Sequence, residues 1–142
     1  MKCQQTCPAT PARIVEHPLA VFLSRAAAIF LTGAILWGAM WPSNVMTAAN
    51  LSFADKLWHF FAFWVWGAIV ALGWPARPWM ALASAISIGA AIELVQPMVG
   101  RNGDFADLGA DVLGSALGVW STHRLMSGFA SRTLGQKIEP SA

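Results

Sequence analysis

The chain has 142 residues, 56% hydrophobic and 11% charged, with eight Trp, eight Phe, no Tyr and a net charge of +2. Soluble domains carry about 25% charged residues, so this composition excludes a soluble globular enzyme. Scattered cations of so small a net charge also exclude a nucleic-acid binder, and the mean hydropathy of +0.54 excludes disorder. What remains is an all-α integral membrane protein.

Residues 1–18 form a polar tail, expected to be cytoplasmic, in which Cys3 and Cys7 have no matching Cys or His pair downstream. They read as free thiols rather than a closed zinc site. A first apolar run covers 19–41 and includes Arg25. Its long, proline-bearing approach (Pro8, Pro11, Pro18) is unlike a cleaved signal peptide, so a retained helix is expected. Arg25 would then snorkel to the cytoplasmic headgroups. Further runs cover 57–74, 79–99 and 105–126, separated by Pro42, by Pro75 with Pro78, and by the Pro97–Gly103 segment. The reading is a compact bundle of four transmembrane helices over 19–126, with a cytoplasmic tail at 127–142.

Orientation follows from Lys and Arg. With the N-terminus inside, the inner set is Lys2, Arg13, Arg25, Arg77, Arg124, Arg132 and Lys137, and the outer set is Lys56 and Arg101. Seven against two places both termini in the cytoplasm. Trp41 and Trp58 then fall near the outer face, and Trp74, Trp79 and Trp120 near the inner one, as interfacial indoles do.

Five of the seven acids, Asp55, Glu93, Asp104, Asp107 and Asp111, map to the outer loops or the outer halves of spans. At ~1.5 Å per residue, Glu93 lies about 21 Å along its helix from Trp79, and Asp111 about 10 Å below Asp104. Asp55 and His59 are i, i+4, Glu93 and Gln96 are i, i+3, and Asp104, Asp107 and Asp111 are i, i+3, i+7. The last line continues to Gly114 and Gly118, whose spacing lets membrane helices approach closely. Ionisable groups at this depth cost about 2.5–3.5 kcal/mol each and mark a functional site by default. The alternative is that they pair with Arg101, Lys56 and His59 merely to hold the helices together. Five acids and two fixed cations leave −3, which requires protonated carboxyls or a cationic or hydrogen-bonding ligand. We expect Arg101 to pair with Glu93 or Asp107, His59 to face the same cavity, and the first span to pack peripherally on the other three.

Asp55-Lys56-x-x-His59-Phe60, then Glu93-x-x-Gln96, then Gly100-Arg101-x-x-Asp104-x-x-Asp107-x-x-x-Asp111-x-x-Gly114-x-x-x-Gly118 resembles the VanZ-like family. These are small bacterial membrane proteins named after a teicoplanin-resistance accessory protein. The resemblance covers about residues 52–120, and departs at Asp111, where many members carry Asn. It implies a multi-pass protein of the bacterial cytoplasmic membrane with a cell-envelope role, and glycopeptide tolerance as the named phenotype. It supplies no reaction and no cofactor.

Three readings follow. The first is a non-enzymatic protein that binds an envelope precursor or related lipid-linked ligand at the outer pocket, with Arg101 and Lys56 holding phosphate or carboxylate. Its partners would be the bilayer, that ligand, and a second copy or another membrane protein, with no nucleic acid. The second is an interfacial enzyme using His59 as base and Glu93 as acid, or a metal held by His59 and the Asp set, although no nucleophile motif is present. The third is a proton- or cation-coupled carrier subunit, for which four helices would need an oligomer. The inner half of the third span is Ala, Ser, Ile and Gly, with no charged path, which leaves binding ahead.

Overall fold

The computed structural model describes residues 17–41, 50–101 and 103–136, with side chains outside 50–52 and 130–136. The tail thiols Cys3 and Cys7 lie outside the described residues. Four helices follow one another: α1 (Pro18–Met40), α2 (Asn50–Gly73), α3 (Trp79–Val95), which passes into a 3-10 turn (Gln96–Val99), and α4 (Phe105–Gln136). There is no strand among the described residues.

Local chemistry sets the boundaries. Pro18 occupies the first turn of α1, where its missing N–H costs nothing. Trp41, which precedes Pro42, is pushed to an extended conformation (φ −66°, ψ 123°) and ends the helix. Between α2 and α3, Trp74-Pro75-Ala76-Arg77 closes a β-turn with Arg77 N–H on the Trp74 carbonyl at 3.0 Å. Pro97 cannot donate the next α-helical bond, so the end of α3 tightens to 3-10 geometry. Gly100 then takes φ 77°, and the N–H groups of Gly100 and Arg101 bond the carbonyls of Pro97 and Gln96 at 3.4 and 3.0 Å. This is a Schellman ending, which favours glycine at the left-handed position. Asp104 caps α4 by accepting from the Ala106 N–H at 2.9 Å.

α2 packs most extensively on α4. The contact is backbone to backbone: a Cβ on Gly114 would fall on the Phe60 carbonyl, one on Gly118 on the Trp64 carbonyl, and one on Gly67 on Ser115. α3 closes on α4 at Gly89, where a Cβ would meet Asp111 Oδ2 at 2.6 Å. α1 packs mainly on α2 and turns Phe22, Ile29, Phe30 and Trp37 outward. It is tied at mid-height by the Trp66 indole donating to Thr32 Oγ1 at 2.9 Å. Arg25 does not simply reach for headgroups. Its Nε donates to the Gly73 carbonyl at 3.0 Å and its guanidinium lies over Trp74, satisfying the C-terminal end of α2.

α1, Phe53–Gly73 of α2 and Trp79–Val99 are each long and apolar enough to cross a membrane, so the chain is a membrane protein. α4 is long but less apolar, because Asp107, Asp111, His123 and Arg124 interrupt it. It also continues as helix beyond 126, to Gln136, where a tail was expected.

Candidate functional site

The start of α2, the end of α3 and the start of α4 meet at one end of the bundle, and the expected residues come together there. Arg101 Nη2 donates to both Asp55 oxygens at 3.0 and 2.9 Å, and Nη1 to the Ala39 carbonyl at 3.3 Å. The expected pairing with Glu93 or Asp107 is therefore replaced by one with Asp55. The Schellman ending turns residue 101 back toward α1 and α2. Lys56, one residue on from Asp55, takes the α4 acids instead: its Nζ lies 2.5 Å from Asp104 Oδ2 and 3.2 Å from Asp107 Oδ1. That hydrogen bond holds the Asp104 carboxyl below the usual carboxylate range, helped by the Ala106 N–H.

Deeper in the bundle, His59 Nδ1 and Asp111 Oδ1 are 2.9 Å apart, with both side chains buried. Where Asp111 is ionised it can only accept, so a neutral imidazole then carries its hydrogen on Nδ1 and its lone pair on Nε2. Glu93 Oε2 accepts from the Asp104 backbone N–H, joining α3 to the cap of α4. Gln96 is 1% exposed, and neither of its amide atoms has a partner among the described residues, where Glu93 Oε1 and Asp111 Oδ2 are likewise buried and unpartnered. Gly114 and Gly118 lie below, on the α2 contact already described.

A cavity of about 400 Å³ opens between α1 and α2. Its walls are Leu31, Ala34, Ile35, Gly38 and Ala39 of α1 and Trp58, Ala62 and Phe63 of α2. Asp55, His59 and Arg101 supply its charged or ionisable groups. As expected, His59 and Arg101 share a cavity. Helix positions put the polar groups at the site end and Leu31 and Phe63 deeper, so the cavity is a slot with an oily floor and a charged mouth. Asp55, His59 and Asp107 each offer one metal-ligand atom, and these lie within 4.8 Å of one another.

Sequence reasoning missed the apolar wall, the Ala39 carbonyl and the two glycines Gly67 and Gly89 that admit Ser115 and Asp111. No periodicity marks them, since each is defined by what lies opposite on another helix. No family model, curated protein or solved structure matches the chain, and the likeness to the VanZ-like family rests on the residues quoted above.

Proposed function

We propose that the chain is a four-span, VanZ-like protein of the bacterial cytoplasmic membrane, with both ends in the cytoplasm, that binds a lipid-linked cell-envelope precursor at its outward end. The observation that carries this reading is the α1–α2 cavity, apolar along its length and bearing Arg101, Asp55 and His59 at its mouth. A hydrocarbon chain fits the first part by burial of apolar surface, and a phosphate or carboxylate head suits the guanidinium at the second. Small residues at Ala34, Gly38 and Ala62 leave the width for such a chain.

Binding of a polyprenyl phosphate to the purified full-length protein, read by native mass spectrometry, tests it. Ala62→Trp fills the slot and should abolish binding. Ile86→Ala, on an exposed α3 position, should leave it intact. Equal binding by the two variants would count against the cavity as the lipid site. A second reading, interfacial catalysis, is favoured by the buried Asp111–His59 pair at the cavity wall, the arrangement of an oriented general base. A His59→Gln variant that still binds lipid but no longer turns it over would select that reading, and unchanged lipid would reject it.

A further inference from the structure

We propose that Asp55, His59 and Asp107 bind one divalent transition-metal ion between α2 and α4, beside the α1–α2 cavity, with Asp111 as a positioning residue for the imidazole. Two helices supply the ligands. Asp55 and His59 are one turn apart on α2, and Asp107 stands in the first turn of α4. The glycine contacts that lock α2 to α4 fix their separation, as a metal site on rigid elements requires. The three ligand atoms lie within 4.8 Å of one another. Bonds of ~2.0–2.2 Å hold tetrahedral ligand atoms about 3.3–3.6 Å apart, so side-chain shifts of up to about 1 Å close the site.

Asp111, 0% exposed, engages Nδ1 through Oδ1, which leaves Nε2 as the ligand nitrogen. Carboxylate–histidine–metal relays are built this way, and the outer carboxylate fixes both tautomer and ring orientation. The contacts of Asp55 with Arg101 and of Asp107 with Lys56 do not use up these carboxylates, since each offers about four lone-pair sites. The cavity beside Asp55 and His59 leaves room for water or ligand oxygen in the remaining positions, as in an open rather than a closed site.

An independent observation points to the same need. Gln96 is 1% exposed, yet neither amide atom has a partner among the described residues, and Glu93 Oε1 and Asp111 Oδ2 are in the same state. Buried polar atoms without partners call for an ion or ordered water. The five acids around this end face two fixed cations, Lys56 and Arg101. A divalent ion with neutral His59 offsets most of that excess. Two carboxylates and one imidazole suit zinc, iron(II) or manganese better than a soft monovalent ion.

Zinc alone is the probe. The full-length protein, carrying Cys3→Ser and Cys7→Ser so that thiols cannot compete, is stripped with EDTA, equilibrated with Zn²⁺ and assayed for metal by mass spectrometry. The expected result is about one zinc per chain and a higher unfolding midpoint. Asp107→Asn and His59→Gln should lose the metal, and Asp111→Asn should bind it about 10–100-fold more weakly. Asp104→Asn removes a neighbouring charge and no ligand, and should keep it. Absence of zinc from the parent protein overturns the proposal, as does an Asp104→Asn loss equal to that of Asp107→Asn. Where the ligand variants do not fold, Co²⁺ substitution in the parent decides: d–d bands of nitrogen and oxygen ligation support the site, and a hexaaqua spectrum overturns it. The site does not rest on the lipid reading. No lipid enters this assay, and lipid binding is measured separately on metal-free protein.

Discussion

Arg101 is aimed by its backbone before its side chain binds anything. Gly100 at φ 77° reverses the chain, and the Arg101 N–H is held by the Gln96 carbonyl, so the guanidinium projects across to Asp55 and the end of α1. Its exposure is 15% against 39% for Asp55, so the pair is half-buried, and its worth lies nearer a charged hydrogen bond than a buried ion pair. Arg101→Ala should destabilise the protein by about 1–3 kcal/mol. Arg77→Ala, in the turn at the opposite end, should cost less than half as much. Arg101→Lys should restore little, because an ammonium does not reach Asp55 and the Ala39 carbonyl with a planar fork. Unfolding midpoints in one detergent decide; equal effects for Arg101→Ala and Arg77→Ala remove the pairing from any role in stability. Asp104 gives a pH counterpart. A carboxyl whose folded pKa is depressed adds stability above its unfolded value near 3.8 and loses it as pH falls through the lower folded value. Asp104→Asn should therefore flatten the acid limb of the stability profile below about pH 4, leaving the neutral region less affected by pH in both proteins.

At the scale of the helices, the α2–α4 contact is the joint on which the site depends, because Asp55, Lys56 and His59 ride on one partner and Asp107 and Asp111 on the other. Gly118→Leu would drive a side chain into the Trp64 carbonyl and the Ala68 N–H. Backbone cannot yield as a side-chain tip does, so the cost should exceed the ~1–3 kcal/mol of ordinary overpacking and lower folded yield. Gly67→Ala should act in the same direction from the other helix. Gly109→Ala meets nothing within 4 Å and should be neutral or stabilise α4 by up to about 1 kcal/mol. Similar yields for Gly118→Leu and Gly109→Ala would mean that the helices do not meet at this face. The G-x-x-x-G face of α4 and the convergence of the acids were legible in the sequence, since both are spacings within one helix. The choice of Asp55 over Glu93 as the partner of Arg101 was not, because it depends on where a left-handed turn sends the chain. Gly67 and Gly89 were not legible either: a lone glycine in an apolar run carries no sign of the backbone or carboxylate that will press on it. The extension of α4 past 126 carries only Phe129, Ala130 and Leu134 among polar residues and glycines, too few for a span, and hydropathy is blind to a mostly polar helix.

Across the whole molecule, the charges sort to two ends. The five acids with Lys56 and Arg101 occupy the end where α2 starts and α3 finishes. Arg25 on the Gly73 carbonyl, Arg77 in the α2–α3 turn and Arg124 over Trp120 mark the other. The proposed four-span topology turns this sorting into a direction, because Lys and Arg near span ends are retained on the cytoplasmic side. α4 is the span in question. Its 32 residues give about 48 Å of helix, ample for a hydrocarbon core of about 30 Å, and its acids are turned into the bundle, where Lys56 and His59 meet them. A helix that hides its carboxylates against protein can cross lipid at a hydropathy that an isolated helix cannot. A reporter that matures only outside the cytoplasm, fused after Ala142, should therefore be silent, and a fluorescent reporter active only inside should be bright. The same external reporter placed after Gly73, with α3 and α4 removed, should also be silent, since two spans return the chain to the cytoplasm, while placed after Val99 it should be active. A C-terminal fusion active outside would mean that α4 lies on the surface or that the bundle is inverted; inversion would also silence the Val99 fusion, and only then would the acidic mouth of the cavity face the cytoplasm, out of reach of any precursor on the outer leaflet.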